Sequence, residues 1–126
     1  MNIPTDLRYT KDHEWIKVNG KTGLVGITDF AQGELGDIVF VEIETVGNHL
    51  DKGTTFGTIE AVKTVSDLFL PVSGKVIEMN GKINDTPDVI NKDPYGAGWL
   101  IKLEIDDPSQ VNELMDAKAY ADMINA

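Results

Sequence analysis

The chain has 126 residues, of which 41% are apolar and 25% are charged. These values suit a single globular domain over residues 1–126 with one hydrophobic core. Because the chain contains no cysteine, disulfides, zinc–thiolate centres and cysteine nucleophiles are excluded, and any redox group must be added to the chain. The net charge of −10 argues against nucleic acid and anionic membranes as partners and favours basic protein surfaces.

The compartment is predicted from what the sequence lacks. No apolar run is long enough to span a membrane. The first residues show neither the basic-then-apolar layout of a secretory signal nor the Arg- and Ser-rich composition of a transit peptide. A cytoplasmic protein is the expectation, and a processed protein of the mitochondrial matrix would have the same sequence features.

Hydrophobic alternation and β-branched residues predict a mainly β chain. Asn19-Gly20 indicates a hairpin turn between the first two strands. Residues 80–81 and 84–87 are rich in turn formers. The predicted strands are residues 14–18, 22–27, 37–45, 54–62, 64–70, 75–79 and 99–105.

Two helical regions interrupt or follow the strands. Thr28 or Asp29 is predicted to cap a short helix over residues 28–35, which Gly36 ends. After Asp107-Pro108, apolar residues recur at helical spacing, so the C-terminal tail is predicted to be one helix or two short ones divided near Asp116. The pattern as a whole predicts a small β-sandwich or flattened barrel with a helical C-terminal tail.

Lys63 stands between two predicted strands with neither glycine nor proline beside it. A chain that folds back there would hold the lysine amine at an exposed and rigid tip. An enzyme that acylates a lysine needs such an amine, and the amide product loses the positive charge. An ordinary exposed hairpin lysine has the same local pattern, so spacing alone leaves both interpretations open.

No other residues form an enzyme-like or metal-binding pattern. His13 and His49 lack metal-ligand spacing in their flanks, and Gly33 and Gly36 do not form a phosphate-binding loop. The many carboxylates are expected to be solvated for the most part. The sequence therefore predicts no catalytic residues and no metal site.

Four ordered blocks, spanning nearly the whole chain, resemble the glycine cleavage system H-protein family. They are residues 9–15 (YTKDHEW), 26–32 with 35–41 (GITDFAQ and LGDIVFV), 56–68 with 71–76 (FGTIEAVKTVSDL and PVSGKV), and 91–100 (NKDPYGAGWL). Lys63 lies in the third block, the family's lipoylation motif. Ala61 stands where the family more often has serine, and Glu34 where some members carry histidine near the lipoyl arm.

The resemblance implies a lipoyl/biotinyl-type barrel-sandwich hybrid with N- and C-terminal extensions, and a carrier rather than an enzyme. In this family the carrier takes the aminomethyl group of glycine from a pyridoxal-phosphate decarboxylase (P-protein) to a folate-dependent aminomethyltransferase (T-protein). Dihydrolipoyl dehydrogenase (L-protein) then reoxidises it. The expected role is therefore in glycine catabolism and one-carbon metabolism.

The resemblance also implies roles for individual residues. Lys63 is expected to hold lipoate as an amide, and Glu60 and Asp67 are expected to guide the lipoate-attaching enzyme. In this family the loaded arm can fold into a surface cleft, where carboxylates would stabilise an ammonium-like group. Glu14 and Asp67, with Glu34 behind them, are the candidates for that cleft, and a solvated strand carboxylate is the alternative for Glu14.

Four other functions compete with this one. A lipoyl domain of a 2-oxoacid dehydrogenase complex is usually shorter and joined to a catalytic domain, and a biotin carrier would have methionine where Val62 and Thr64 stand. A structural or interaction module without a prosthetic group is a different class, and paralogues of this family that have left glycine metabolism would fit it, including some that pass lipoyl groups to other enzymes. An independent enzyme is supported only by the scattered carboxylates.

Overall fold

Two antiparallel sheets account for most of the regular structure in the computed structural model, which describes all 126 residues. The strands are β1 (Arg8–Tyr9), β2 (Glu14–Asn19), β3 (Thr22–Ile27), β4 (Ile38–Glu42), β5 (His49–Leu50), β6 (Thr55–Ala61), β7 (Val65–Phe69), β8 (Gly74–Met79) and β9 (Ile101–Ile105). The helices are α1 (Asp29–Leu35), α2 (Lys82–Asp85), α3 (Val89–Lys92) and α4 (Ala117–Ile124), with a 3-10 helix at Pro108–Glu113. The predicted mainly β fold, with its short helix near residues 28–35 and its helical tail, is confirmed.

One sheet has six strands in the order β1-β2-β3-β9-β8-β5, and the other has three in the order β4-β6-β7. Seventeen buried apolar side chains from both sheets and the segments between them form the main core. Along β6, Ile59 and Ala61 are buried while Glu60 between them is exposed, because successive residues of a strand point to opposite faces. The three-stranded sheet thus turns one face to the core and the other to solvent.

Helix α1 connects the two sheets, since it follows β3 and precedes β4. The Thr28 hydroxyl caps it by accepting a hydrogen bond from the Ala31 N–H at 3.2 Å. Gly36 ends it with φ at 79°, in the region that favours glycine. Both ends of α1 are therefore set by residues that the sequence identified.

The segment after β8 differs from its prediction. Two four-residue helices lie there without a side-chain cap. Helix α2 overlaps the turn predicted at residues 84–87, and α3 follows that turn, where no element was predicted. Each buries one isoleucine, Ile83 or Ile90, in the main core. Tertiary packing, which a local pattern does not report, stabilises these single turns. Strands β1 and β5 were also missed, because two residues are too few for an alternating pattern.

The C-terminal tail contains two short helices, one of the two predicted alternatives, and Asp116 caps the second one. Helix α4 packs on the N-terminal segment, where Leu7, Tyr9, Trp15 and Tyr120 form a second buried cluster. The rings of Tyr9 and Tyr120 stack with their centroids 4.7 Å apart. Through this cluster the C-terminal tail contacts β2, the strand whose first residue is Glu14.

No helix in the structure combines the length and the apolar character that a membrane crossing by a helix requires.

Candidate functional site: the Lys63 turn and the adjacent cleft

Lys63 is in the turn between β6 and β7. The Ala61 N–H donates to the Thr64 carbonyl oxygen at 2.8 Å, which leaves Val62 and Lys63 as the two central residues. Neither has a positive φ, whereas the favoured two-residue hairpin turns need one. The Val62 N–H donates to the Asp37 carbonyl oxygen at 3.0 Å. Main-chain bonds therefore hold the turn from two sides, and its three side chains at 62–64 stay exposed.

The stem of Lys63 lies beside the end of α1. A β-carbon added at Gly36 would be 3.4 Å from Lys63 Cε and 3.8 Å from Nζ. The carbonyl end of a helix favours a nearby cation, so this placement suits the amine. All four ion pairs of the protein involve other residues. No carboxylate partner therefore holds the Lys63 amine, which remains accessible to a reagent.

A cleft of about 340 Å³ lies along α1. Its lining includes Glu34 and Leu35, the two residues before Gly36, whose β-carbon position is 3.4 Å from Lys63 Cε. Its walls combine apolar and acidic side chains: Ile27, Phe30, Ala31, Leu35, Ile59 and Leu68, with Asp12, Glu14, Glu34 and Asp67. Such a lining suits a ligand with an apolar chain and a cationic group.

A larger cavity, of about 610 Å³, also borders Glu14, but its walls come from the N-terminal segment, β7 and the C-terminal tail. Neither α1 nor the Lys63 turn lines it. Of the two, the smaller cleft is the candidate site, because α1 lines it and the end of α1 lies beside the Lys63 stem.

Glu14 joins the two sheets within the cleft. Its side chain is buried, with 2% of the residue exposed. The Thr10 hydroxyl donates to Oε1 at 2.7 Å, and the Phe69 N–H, at the end of β7, donates to Oε2 at 3.1 Å. Burial raises the pKa of Glu14 to about 7, although both hydrogen bonds favour the ionised carboxylate. The alternative of a solvated strand carboxylate is therefore wrong.

A hydrogen-bonded network connects the C-terminal helix to the cleft. The Tyr120 hydroxyl lies 2.9 Å from His13 Nδ1 and 2.7 Å from the hydroxyl of Thr28, the residue that caps α1. His13 has φ at 68°, a conformation that costs a non-glycine residue about 1–2 kcal/mol. Burial lowers the pKa of His13 and raises the pKa of Tyr120 to about 12. Tyr120 thus stays a neutral hydroxyl that positions both a cleft side chain and a cleft helix.

The structure brings three of the predicted residues, Glu14, Glu34 and Asp67, to one cleft. Glu60 is not among the lining residues. It lies on the exposed face of β6, in register with Phe40 on β4 and Val65 on β7. Of the predicted pair beside Lys63, only Asp67 therefore borders the cleft.

Sequence reasoning missed Asp12, His13 and Phe30 as cleft residues. A signal existed for Phe30, because it is four residues before Glu34 and such residues share one side of a helix. None existed for His13, whose place depends on an unusual backbone conformation and on Tyr120, 107 residues away.

The model of the family described as "Glycine cleavage H-protein" matches residues 7–126. The chain is similar to the glycine cleavage system H protein of Chlorobium limicola, with 60% identity over 126 residues that cover 98% of each chain. It is likewise similar to that of Bacteroides thetaiotaomicron, with 56% identity over 125 residues and 99% of each chain. A crystal structure of a glycine cleavage system H protein from Mycobacterium marinum shares 42% identity and a TM-score of 0.90, over 98% of this chain and 100% of that one. The chain therefore belongs to the glycine cleavage H-protein family.

Proposed function

We propose that residues 1–126 act as one lipoyl-carrier domain that carries the aminomethyl group of glycine from the decarboxylase (P-protein) to the aminomethyltransferase (T-protein). Dihydrolipoyl dehydrogenase (L-protein) is the third partner. As a member of this family the chain is a carrier rather than an enzyme. The observation that supports the proposal best is the accessible Lys63 amine, without an ion-pair partner, beside the end of α1, the helix that lines the acidic cleft. The relatives named above are bacterial, which favours the cytoplasm.

Lys63 is the proposed attachment point of lipoate, through an amide at Nζ. The site fits that group in two respects. The turn is held by main-chain bonds, so acylation of the side chain breaks no contact on which the fold depends. The adjacent cleft has an apolar wall long enough to include residues from β3, α1, β6 and β7. When bound, the lipoyl group supplies the redox-active sulfurs that this cysteine-free chain lacks.

The cleft carboxylates are proposed to bind the ammonium group of the cargo. Glu14 and Asp67 would contact the ammonium group directly, and Glu34 and Asp12 would add negative charge around it. Burial of Glu14 strengthens its attraction for a cation, whereas Asp12, Glu34 and Asp67 are exposed and act through a more screened field. A cation near Glu14 would favour its ionised form. The apolar walls formed by Ile27, Leu68 and their neighbours would exclude water from the labile cargo.

Glu60 and Asp67 are proposed to guide the lipoate-attaching enzyme. Both carry exposed carboxylates close to Lys63 in the chain, on β6 and β7. Their charge would attract a basic enzyme surface and would raise its rate of association more than its affinity.

The intact mass of protein purified from its native source tests this function. We expect a gain that matches one lipoyl group. Lys63→Arg should lose the gain, and the matched variant Lys75→Arg, at an exposed position of β8, should keep it. Glycine–bicarbonate exchange with the decarboxylase should fall to background in Lys63→Arg alone. An unmodified native protein, or exchange that persists without Lys63, would overturn the proposal.

A further inference from the structure

The solvent-facing side of the three-stranded sheet carries an apolar patch around Lys63. We call it the outer patch and define it as Val39, Phe40, Val62 and Val65. Their exposed fractions are 47%, 50%, 76% and 63%. Val62 precedes Lys63, and Val65 follows it by two residues. In the register of the sheet, Phe40 and Val65 lie on either side of Glu60 in one row across β4, β6 and β7. These side chains therefore form one surface rather than scattered exposures.

An irregularity in β4 creates half of this patch. The register shifts between Ile38, which pairs with Ala61, and Phe40, which pairs with Glu60. A regular strand would alternate, so one of two successive residues would face the core. Here Val39 and Phe40 are both exposed, between buried Ile38 and Val41. Bulges of this kind re-aim side chains at functional sites, and the exposed pair contributes no burial to the core.

The charges around the outer patch have one sign. Glu60 lies within it, and Glu42 and Asp67 occupy the next row of the sheet, on either side of Thr58. None of these carboxylates belongs to an ion pair. Strands β4, β6 and β7 contain no lysine or arginine. Lys63 is therefore the cation of this face, and acylation would remove its charge.

We propose that the outer patch is the docking surface for the enzyme that attaches lipoate, and that this enzyme meets it with an apolar pocket rimmed by lysine or arginine. The proposal rests on lipoylation of Lys63. An attaching enzyme must bring Nζ itself to the reacting carbonyl, so it must contact the side chains next to Lys63. Enzymes that act on the end of an attached arm are under no such constraint. Apolar side chains beside unpaired carboxylates fit a partner surface that combines an apolar pocket with lysine or arginine.

The step at this surface is an acyl transfer. The Nζ ammonium loses a proton to solvent, and the free amine attacks the carbonyl carbon of lipoyl-adenylate, which the enzyme makes from lipoate and ATP with release of pyrophosphate. The nitrogen gives up a second proton to solvent as the amide forms. The C–N bond of the amide forms, the C–O bond to the phosphate breaks, and AMP leaves. No electrons are exchanged in this step. Docking sets only how often Nζ reaches the carbonyl, so losses should appear in KM rather than in kcat.

The experiment uses the full unmodified chain, a purified lipoate–protein ligase, lipoate and ATP, with the initial rate of mass gain followed against chain concentration. Phe40→Ser combined with Val65→Thr should raise the KM for the chain about tenfold or more, as loss of central interface contacts does. The kcat should stay within about twofold because Lys63 and its turn are intact. Val18→Thr, the same exchange at an exposed position of β2, is the matched control and should leave KM unchanged.

A charge variant tests the rim of the partner. Glu60→Gln should raise KM about threefold at low salt and make KM less dependent on salt, because screening acts on the lost attraction. Glu104→Gln, at an exposed position of β9, should change neither quantity. A salt dependence equal to that of the unsubstituted chain would overturn the basic rim.

The outcomes separate the two proposals. An unchanged KM in the double variant, or an equal rise in Val18→Thr, would overturn the docking surface while lipoylation of Lys63 stands. A KM raised only toward the glycine decarboxylase would assign the patch to that enzyme and would also overturn it. Absence of mass gain in the unsubstituted chain would overturn the proposed function itself. Thermal melting checks that each variant is folded. If Phe40→Ser does not fold, the KM of Val65→Thr alone tests the docking surface.

Discussion

The Lys63 turn and the adjacent cleft are stabilised by different kinds of interaction. The turn relies on main-chain hydrogen bonds and leaves its side chains in water. The cleft depends on a buried carboxyl, a hydroxyl–imidazole network and contacts between residues as distant as His13 and Tyr120. The proposed attachment point needs access, whereas the proposed cation site needs groups fixed in place, of which Glu14 is the buried one. Substitutions in the cleft should therefore change stability strongly, and those in the turn should hardly do so.

Tyr120→Ala should have the largest effect on the free energy of unfolding, a loss of about 3–5 kcal/mol in urea denaturation. Tyr120 is fully buried, stacks on Tyr9 and hydrogen-bonds with His13 and Thr28. Tyr120→Phe keeps the ring and removes only the hydroxyl, so it should lose about 1–2 kcal/mol. A loss below about 1 kcal/mol for Tyr120→Ala would show that α4 does not support the cleft.

Glu14→Gln should change the pH dependence of stability. The pKa of Glu14 is about 7 in the folded protein and 4.5 in the reference state, so folding favours the protonated carboxyl. Stability from this group is complete below pH 4.5 and is lost as the pH rises through 7. The free energy of unfolding of Glu14→Gln, relative to the unsubstituted protein, should therefore rise by about 3 kcal/mol between pH 4 and pH 8.

Denaturation at several pH values measures this difference. Glu104→Gln is the matched control, since Glu104 is exposed on β9, and its difference should stay flat across the same range. A flat difference for Glu14→Gln would mean that the carboxyl ionises in the cleft as easily as in water.

The same contrast explains what the sequence could predict. Lys63, its flanking strands and the capped helix α1 follow from local patterns, namely alternation, β-branched residues, a threonine cap and a terminal glycine. These features depend on residues close together in the chain. The strands, the helix and the exposed turn at Lys63 are confirmed, and lipoyl attachment at Lys63 stays a prediction. Local spacing alone fits an ordinary hairpin lysine equally well, and only the resemblance of four blocks to a family favours attachment.

The cleft and the outer patch could be predicted only in part. The cleft carboxylates were suggested by resemblance, but the burial of Glu14 depends on Thr10 and on Phe69, 55 residues away. The exposure of Phe40 depends on a register shift against β6, and a single β-branched run predicts nothing about register. Helices α2 and α3 were missed for the same reason, since a long-range isoleucine contact stabilises each. The features that could not be predicted are those formed by contacts between two segments that are far apart in the sequence.

Gly36→Ala probes the junction between turn and cleft and should destabilise the protein by about 1–3 kcal/mol. Gly36 has φ at 79° and ψ at −155°, a conformation open almost only to glycine. Gly33→Ala is the internal control, because Gly33 lies within α1 with open space at its β-carbon position. It should stabilise by about 0.5–1 kcal/mol. The two substitutions should change the free energy of unfolding in opposite directions, as measured by urea denaturation. Changes in the same direction would contradict the role of Gly36 as the end of α1.

Lys63→Gln should have the smallest effect, a change of no more than about 1 kcal/mol in the free energy of unfolding. It removes the positive charge, as acylation would, from an exposed side chain without an ion pair. The only opposing contribution is the favourable placement at the end of α1, worth about 0.3–1 kcal/mol at most for an exposed group. A loss above about 1 kcal/mol would mean that the amine supports the fold. A negligible change would mean that the fold does not depend on the Lys63 charge, so the loss of charge in the proposed acylation would not by itself destabilise the turn.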